Sequence, residues 1–172
     1  SDVYKRQVFG STEVKTSEDV LTNWDTLKQK EKNQSSVTDT LENVARSLPG
    51  LIRAEKVQHK ASKVGFDWDS IQGALDKVRE ETEEVARAAA GDGDPAEELG
   101  DLLFAAVNVA RFVHTDPEQA IQNATDKFMR RFARVEQAAK AAGKSLSDMN
   151  LAEMDALWDE VKAKEHEAAQ HE

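Results

Sequence analysis

Residues 80–101 read EETEEVARAAAGDGDPAEELGD: two clusters of carboxylates, each on an expected helix, flank a short Gly/Asp/Pro turn. From Asp69 to Asp101 there are eleven acids against three bases, Lys77, Arg79 and Arg87. A run of acids on a helix is most often a solvated face, and in a chain this acidic an E-E-x-x-E pattern arises by chance about once. Helical phase separates the two readings. At ~100° per residue, Ile71, Ala74, Leu75, Val78, Val85 and Ala89 point one way, with Glu81 roughly 70° and Glu84 roughly 130° from that direction on the same side. On the next helix Leu99, Leu102, Leu103, Ala106, Val109 and Val113 form the apolar set, with Glu98 roughly 80° and Asp101 roughly 140° off, again on one side. Packed together, two such i, i+3 pairs would form a pocket of four oxygen donors. Four clustered carboxylates repel one another unless a cation compensates. All-oxygen ligands at this charge suit Mg2+ or Mn2+; zinc or copper would normally recruit His or Cys.

A basic stripe supplies a second half. Lys127, Arg130, Arg131 and Arg134 recur at helical spacing, with Asn123 one turn before Lys127 and Phe128, Phe132 and Val135 on the apolar side. Taken alone, these bases could simply neutralise the acidic helices. Beside a carboxylate metal pocket they suit phosphates whose opposite oxygens face the metal. His59, His114, His166 and His171 belong to no metal or triad pattern, and the Glu-x-x-His pairs of a di-iron bundle are absent.

The elements that must position these residues are helices throughout. Ser17 caps an expected amphipathic helix over 17–31, with Val20, Leu21, Trp24 and Leu27 on one face. The polar stretch KNQSSVTDT at 32–40 reads as a linker. Ser47, with Pro49 in the first turn, starts a helix to about Lys63. Asp69 or Ser70 caps a helix over about 70–90, closed by Gly91. Asp94-Pro95 and Asp116-Pro117 restart helices to about Val113 and Ala142, the second stopped by Gly143. Asn150-Leu-Ala-Glu153 resembles a capping box and opens a last helix to about Glu167, followed by a polar tail. No strand-like alternation competes. The short Asp-Pro turns predict that successive helices pack antiparallel, giving an all-α, antiparallel helical bundle.

Composition bounds the rest. The 172 residues suit one domain with an appendage. Absence of cysteine excludes disulfides, thiolate metal sites and cysteine nucleophiles. The net charge of −10 is uneven, with 12 bases against 24 acids in residues 66–172. Such a field repels a nucleic-acid backbone and concentrates divalent cations. With no run long enough to span a bilayer and no signal pattern, a soluble, cytoplasmic protein without membrane partners is expected. The opening SDVYKRQ at 1–7 reads as foreign sequence, such as a cloning junction.

The motif set resembles the MazG family of nucleoside triphosphate pyrophosphohydrolases, in the all-α NTP pyrophosphatase superfamily. EExxE at 80–84 and ExxD at 98–101, within EELGDLLFAAVNVARF, carry the resemblance. KVGFDW at 63–68, KFMRRF at 127–132 and ALWDEVK at 156–162 support it, and RSLPGLIRAEKVQHKASKVGFDW resembles the inter-domain region of two-domain members. The resemblance covers about residues 8–167. It implies a remnant of an N-terminal region and linker over 1–46, the usual N-terminal domain being almost wholly absent, then a catalytic domain over 47–168 and a tail at 169–172. It also implies a homodimer and Mg2+-dependent hydrolysis of NTPs and dNTPs to the monophosphate and pyrophosphate. Residue by residue, Glu81, Glu84, Glu98 and Asp101 match the metal ligands. Lys77, Lys127, Arg130 and Arg131 match nucleotide-contacting positions, and Trp158 falls where a last-helix Trp lies near the nucleotide. On its own face, shared with Leu151, Met154, Leu157 and Val161, Trp158 reads as half core.

The implied mechanism is water attack at the α-phosphorus, with pyrophosphate leaving toward Lys127, Arg130 and Arg131. Glu80, or one of the ligands such as Glu81, would take the water's proton. The phase of Glu80 points nearly opposite the core, which argues against it as a primary ligand. A dUTP- or dCTP-specific pyrophosphatase of the same superfamily and a non-catalytic helical interaction module are the alternatives. The last would show neither turnover nor metal-dependent stabilisation.

Overall fold

The computed structural model describes Trp24 and residues 36–172, and every regular element among them is helical. The stretch at 1–7 expected to be foreign and most of the helix expected over 17–31 lie outside the described residues; Trp24 itself is helical and half exposed. The chain divides into two compact units, Ser1–Asp69 and Ser70–Glu172. The span 47–168 expected as one domain straddles that boundary. Among the described residues no helix is long and apolar enough to cross a membrane.

In the first unit α1, Val37–Glu42, packs on α2, Gly50–Ser62. The expected linker therefore ends in a helix. Ser36 Oγ accepts from the Asp39 backbone N–H at 3.1 Å, and this local cap outweighs the polarity of the stretch. The start of α2 also differs from expectation. Pro49, not Ser47, is the capping position, because its extended backbone (ψ 142°) excludes it from the first turn while its carbonyl accepts from Arg53 N at 2.9 Å.

In the second unit each helix starts where a cap side chain dictates. Ser70 accepts from Gln72 N and opens α3, Ile71–Ala89. Asp94 accepts from Ala96 N ahead of Pro95 and opens α4, Pro95–Phe112. Asp116 accepts from Glu118 N and Gln119 N and opens α5, Pro117–Ala141. After a short 3-10 turn at Leu146–Asp148, Asn150 accepts from Glu153 N and opens α6, Leu151–Gln170. This last helix runs beyond the expected end at Glu167, through the helix-favouring Ala168 and Ala169. Gly91 (φ 101°) turns the chain out of α3, where Asp92 N reaches back to the Arg87 carbonyl at 3.0 Å. At the end of α4 the same left-handed position holds His114 (φ 53°).

Packing is by hairpins: α3 lies along α4, and α5 along α6. The second Asp-Pro turn, unlike the first, is not followed by extensive packing of the helices it joins. Buried positions are mostly small, which lets helix axes approach closely: Ala74 and Ala88 on α3, Ala105 and Val107 on α4, Val135 and Ala139 on α5. The apolar stripe expected on α4 is not the one buried. Leu99, Leu103 and Val113 are exposed while Ala105, Val107 and Asn108 are buried. A helix apolar on nearly all sides fixes no single phase, so periodicity could not choose the face.

Candidate active site

The α3–α4 hairpin brings three carboxylates together. Glu81, Glu98 and Asp101 place one oxygen each within 4.8 Å of one another. Glu81 comes from the buried side of α3 and is 6% exposed. Glu98 and Asp101 lie one turn apart near the start of α4, where the Asp94 cap and Pro95 set the register. Glu98 sits nearest the helix N-terminus, whose partial positive charge favours carboxylates.

Crowding is felt at Glu98. Its carboxyl is raised above the ordinary glutamate range, first by partial burial and then by the negative charges of Glu84, Asp101, Glu97 and Glu81. Glu84 lies outside the group of three and is paired with Arg87, one turn along α3. Its charge is nonetheless the first of those acting on Glu98.

Lys77 is the counter-charge within the hairpin. Its Nζ lies 2.8 Å from Glu81 Oε1 and 3.2 Å from Glu80 Oε1, and these bonds, Glu81's first, raise its pKa. One ammonium therefore ties the exposed Glu80 to the buried Glu81, although their helical phases diverge.

The donor chemistry fits a hard divalent cation. On one such ion at ~2.1 Å, octahedral donors stand about 3.0 Å apart when cis and about 4.2 Å when trans, so oxygens within 4.8 Å of one another need to close by at most about 1–2 Å, within reach of side-chain rotation. A cation would also relieve the repulsion that raises Glu98. His and Cys donors, which would favour softer metals, do not belong to the group.

The basic stripe belongs to the other hairpin. Lys127 and Arg130 are exposed on α5, and Asn123 accepts from Gln119 Nε2 at 2.8 Å. Arg131 Nε and Arg134 Nη1 both donate to Glu165 on α6, at 2.8 and 3.1 Å. Trp158 is half buried, with Phe128 at 5.3 Å and the Arg131 guanidinium 5.9 Å from its ring centroid. Among the described residues no ion pair joins these bases to the acidic cluster. Of the residues named from sequence, then, the structure gathers Glu81, Glu98 and Asp101 with Lys77 and Glu80 alongside, and gathers Arg131 with Trp158.

Sequence reading passed over Glu165. The signal was present, since Met154, Trp158, Val161 and Glu165 follow one another at 4-3-4 spacing. An acid therefore ends the apolar stripe of α6. It also missed Asn108, buried on α4 and accepting from Arg111 Nε and Nη2 at 3.2 and 2.7 Å.

Residues 70–135, which hold the carboxylate cluster and the whole basic stripe, match the MazG nucleotide pyrophosphohydrolase domain. Over these residues the chain is similar to the MazG family. A nucleoside triphosphate pyrophosphohydrolase of Escherichia coli (strain K12) is 41% identical over 162 residues, 92% of this chain and 62% of the relative. A nucleoside triphosphate pyrophosphohydrolase/pyrophosphatase MazG of Thermotoga maritima is 35% identical over 142 residues, 81% of this chain and 54% of the relative. The uncharacterized protein YabN of Bacillus subtilis (strain 168) is 43% identical over 161 residues, 92% of this chain and 33% of the relative. The chain thus spans less than two thirds of the length of each of these relatives.

Proposed function

We propose that this MazG domain hydrolyses nucleoside triphosphates to the monophosphate and pyrophosphate with the help of Mg2+. The observation that carries the reading is the convergence of Glu81, Glu98 and Asp101 across the α3–α4 hairpin. The names of the E. coli and T. maritima relatives support the reaction class.

Glu81, Glu98 and Asp101 would hold the ion, with Glu84 as a fourth donor once it leaves Arg87. A divalent cation bound there supplies Lewis-acid polarisation of the phosphoryl oxygens and makes water a better nucleophile. Glu80 is assigned as proton acceptor: Lys77 holds it beside Glu81, and it is not needed as a ligand. Lys77 contributes positive charge at the edge of the acid cluster. Lys127, Arg130 and Arg131 take the charge of the departing pyrophosphate, with Asn123 one turn along the same helix. Trp158 offers a ring beside Arg131 for the nucleotide.

We further propose a homodimer. Leu99 and Leu103 on α4 and Ile121, Phe128 and Phe132 on α5 are large apolar side chains left exposed in one chain. A second copy would cover these apolar side chains.

The test is direct detection of pyrophosphate from a panel of NTPs and dNTPs with Mg2+ and with EDTA. The reading expects Mg2+-dependent pyrophosphate release. A helical interaction module would release none.

A further inference from the structure

Among the carboxylates of the α5–α6 hairpin, to which the chemistry above gives no role, Glu165 is the acceptor for two arginines of α5. Glu165 accepts Arg131 Nε at 2.8 Å on one oxygen and Arg134 Nη1 at 3.1 Å on the other. The pair with Arg131 is part-buried, with side-chain exposures of 21% and 26%. There a charge-assisted hydrogen bond meets less competition from water than on an open surface. Arg131 and Arg134 stand three residues apart on α5. The carboxylate therefore bridges two guanidiniums of one helix face.

Arg131 is held a second way. Its guanidinium lies 5.9 Å from the centroid of Trp158, and that ring leans on Phe128 at 5.3 Å and 41°. The group is thus engaged through Nε on one edge and by an aromatic ring beside it. Neither hold uses the edge formed by the two terminal Nη groups, the fork that takes pairs of phosphate oxygens.

We propose that Glu165 is a positioning residue: it orders Arg131 so that its Nη edge is presented to the polyphosphate of the nucleotide. The inference rests on the reading of Arg131 as a phosphate contact. The clamp orders the arginine without cancelling the local field. One carboxylate is shared by two guanidiniums, and Lys127 and Arg130 add further positive charge on the same helix. Without Glu165, Arg131 regains its rotamers, and the cost of ordering it falls on substrate binding. Arg134 secures the second oxygen and so acts one step further back.

The experiment is a double-mutant cycle on kcat/KM for ATP with Mg2+, using the full chain, Glu165→Gln, Arg131→Ala and the double variant, with thermal melts in parallel. Glu165→Gln should lower kcat/KM about tenfold, chiefly through a higher KM, and should have no further effect once Arg131 is Ala. A carboxylate that merely staples the hairpin would lower the melting temperature and act equally in both backgrounds; that result overturns the proposal. So does an unchanged Glu165→Gln beside an impaired Arg131→Ala. An unimpaired Arg131→Ala instead overturns the phosphate-contact reading itself, and Glu165's role with it. If Glu165→Gln does not fold, Glu165→Asp carries the same cycle, since it keeps the charge but is too short to reach Arg131.

Discussion

Glu81→Gln removes one charge from the acidic cluster while keeping its volume, so its effects on stability and on turnover should separate. In the metal-free protein Glu81 faces two like charges, Glu98 and Asp101, within 4.8 Å, and one opposite charge, Lys77, at 2.8 Å. At water's dielectric the two repulsions sum to about 1.7 kcal/mol or somewhat more, 4.8 Å being the outer limit of their separation, and the attraction is about 1.5 kcal/mol; a lower dielectric scales both alike. The two nearly cancel. The metal-free variant should therefore melt within about 2 °C of the wild type in a chain of this size. Metal changes the balance. At a Mg2+ concentration 100 times its Kd, the wild type gains about 2.7 kcal/mol. A hundredfold weaker site would gain only about 0.4 kcal/mol at the same concentration, and losing a charged ligand should weaken it at least that much. Thermal melts with EDTA and with Mg2+, alongside pyrophosphate release, read both effects. The expected result is matching melts in EDTA, a Mg2+-induced shift only in the wild type, and turnover abolished in Glu81→Gln. Equal Mg2+ shifts with turnover within a few-fold of wild type would refute the assignment of Glu81 as a ligand.

Two further outcomes follow from the same geometry. The folded chain holds the Glu98 proton more tightly than the unfolded chain, so its contribution to stability is fully present below the ordinary glutamate range and is lost as pH rises through its raised value. Melts across that window in EDTA should show this loss in the wild type, and Glu98→Gln should flatten it; an unchanged slope would count against the crowding described at α4. For assembly, Leu103→Asp places a charge on the exposed apolar face of α4 and should convert a dimer to monomer in light scattering while leaving the helical circular dichroism intact. A dimer that survives this change would move the interface elsewhere.

Much of the fold was legible because its signals are local. Ser70, Asp94, Asp116 and Asn150 each satisfy an N-terminal amide within three residues, and the sequence points to the last three as helix starts and to Asp69 or Ser70 for the first. Where a start depended on backbone preference rather than a side-chain bond, as at Pro49, the boundary was misplaced by two residues. The short helix Val37–Glu42 was read as linker because its polar composition masked the Ser36 cap. The buried face of α4 was not legible at all, since apolar residues on nearly every side leave the choice to tertiary packing. The carboxylates Glu81, Glu98 and Asp101 converge because i, i+3 spacing on two helices joined by a short turn leaves few other arrangements. Glu165 depends instead on the register between α5 and α6. Its partners lie 34 and 31 residues away, a distance over which spacing carries no information. Of the motifs that resemble MazG proteins, EExxE, ExxD and KFMRRF fall inside the matched residues 70–135, while KVGFDW and ALWDEVK fall outside them.

The central claim is that water attacks the α-phosphorus, and oxygen isotope labelling tests it most directly. Hydrolysis of ATP or dCTP by the full chain in ¹⁸O-water, with products resolved by mass spectrometry, reports which bond breaks. Attack at the α-phosphorus puts one labelled oxygen in the monophosphate and leaves pyrophosphate unlabelled, which is the expected result. Label in pyrophosphate would shift the site by one phosphate. Labelled orthophosphate with a nucleoside diphosphate as the primary products would contradict the account.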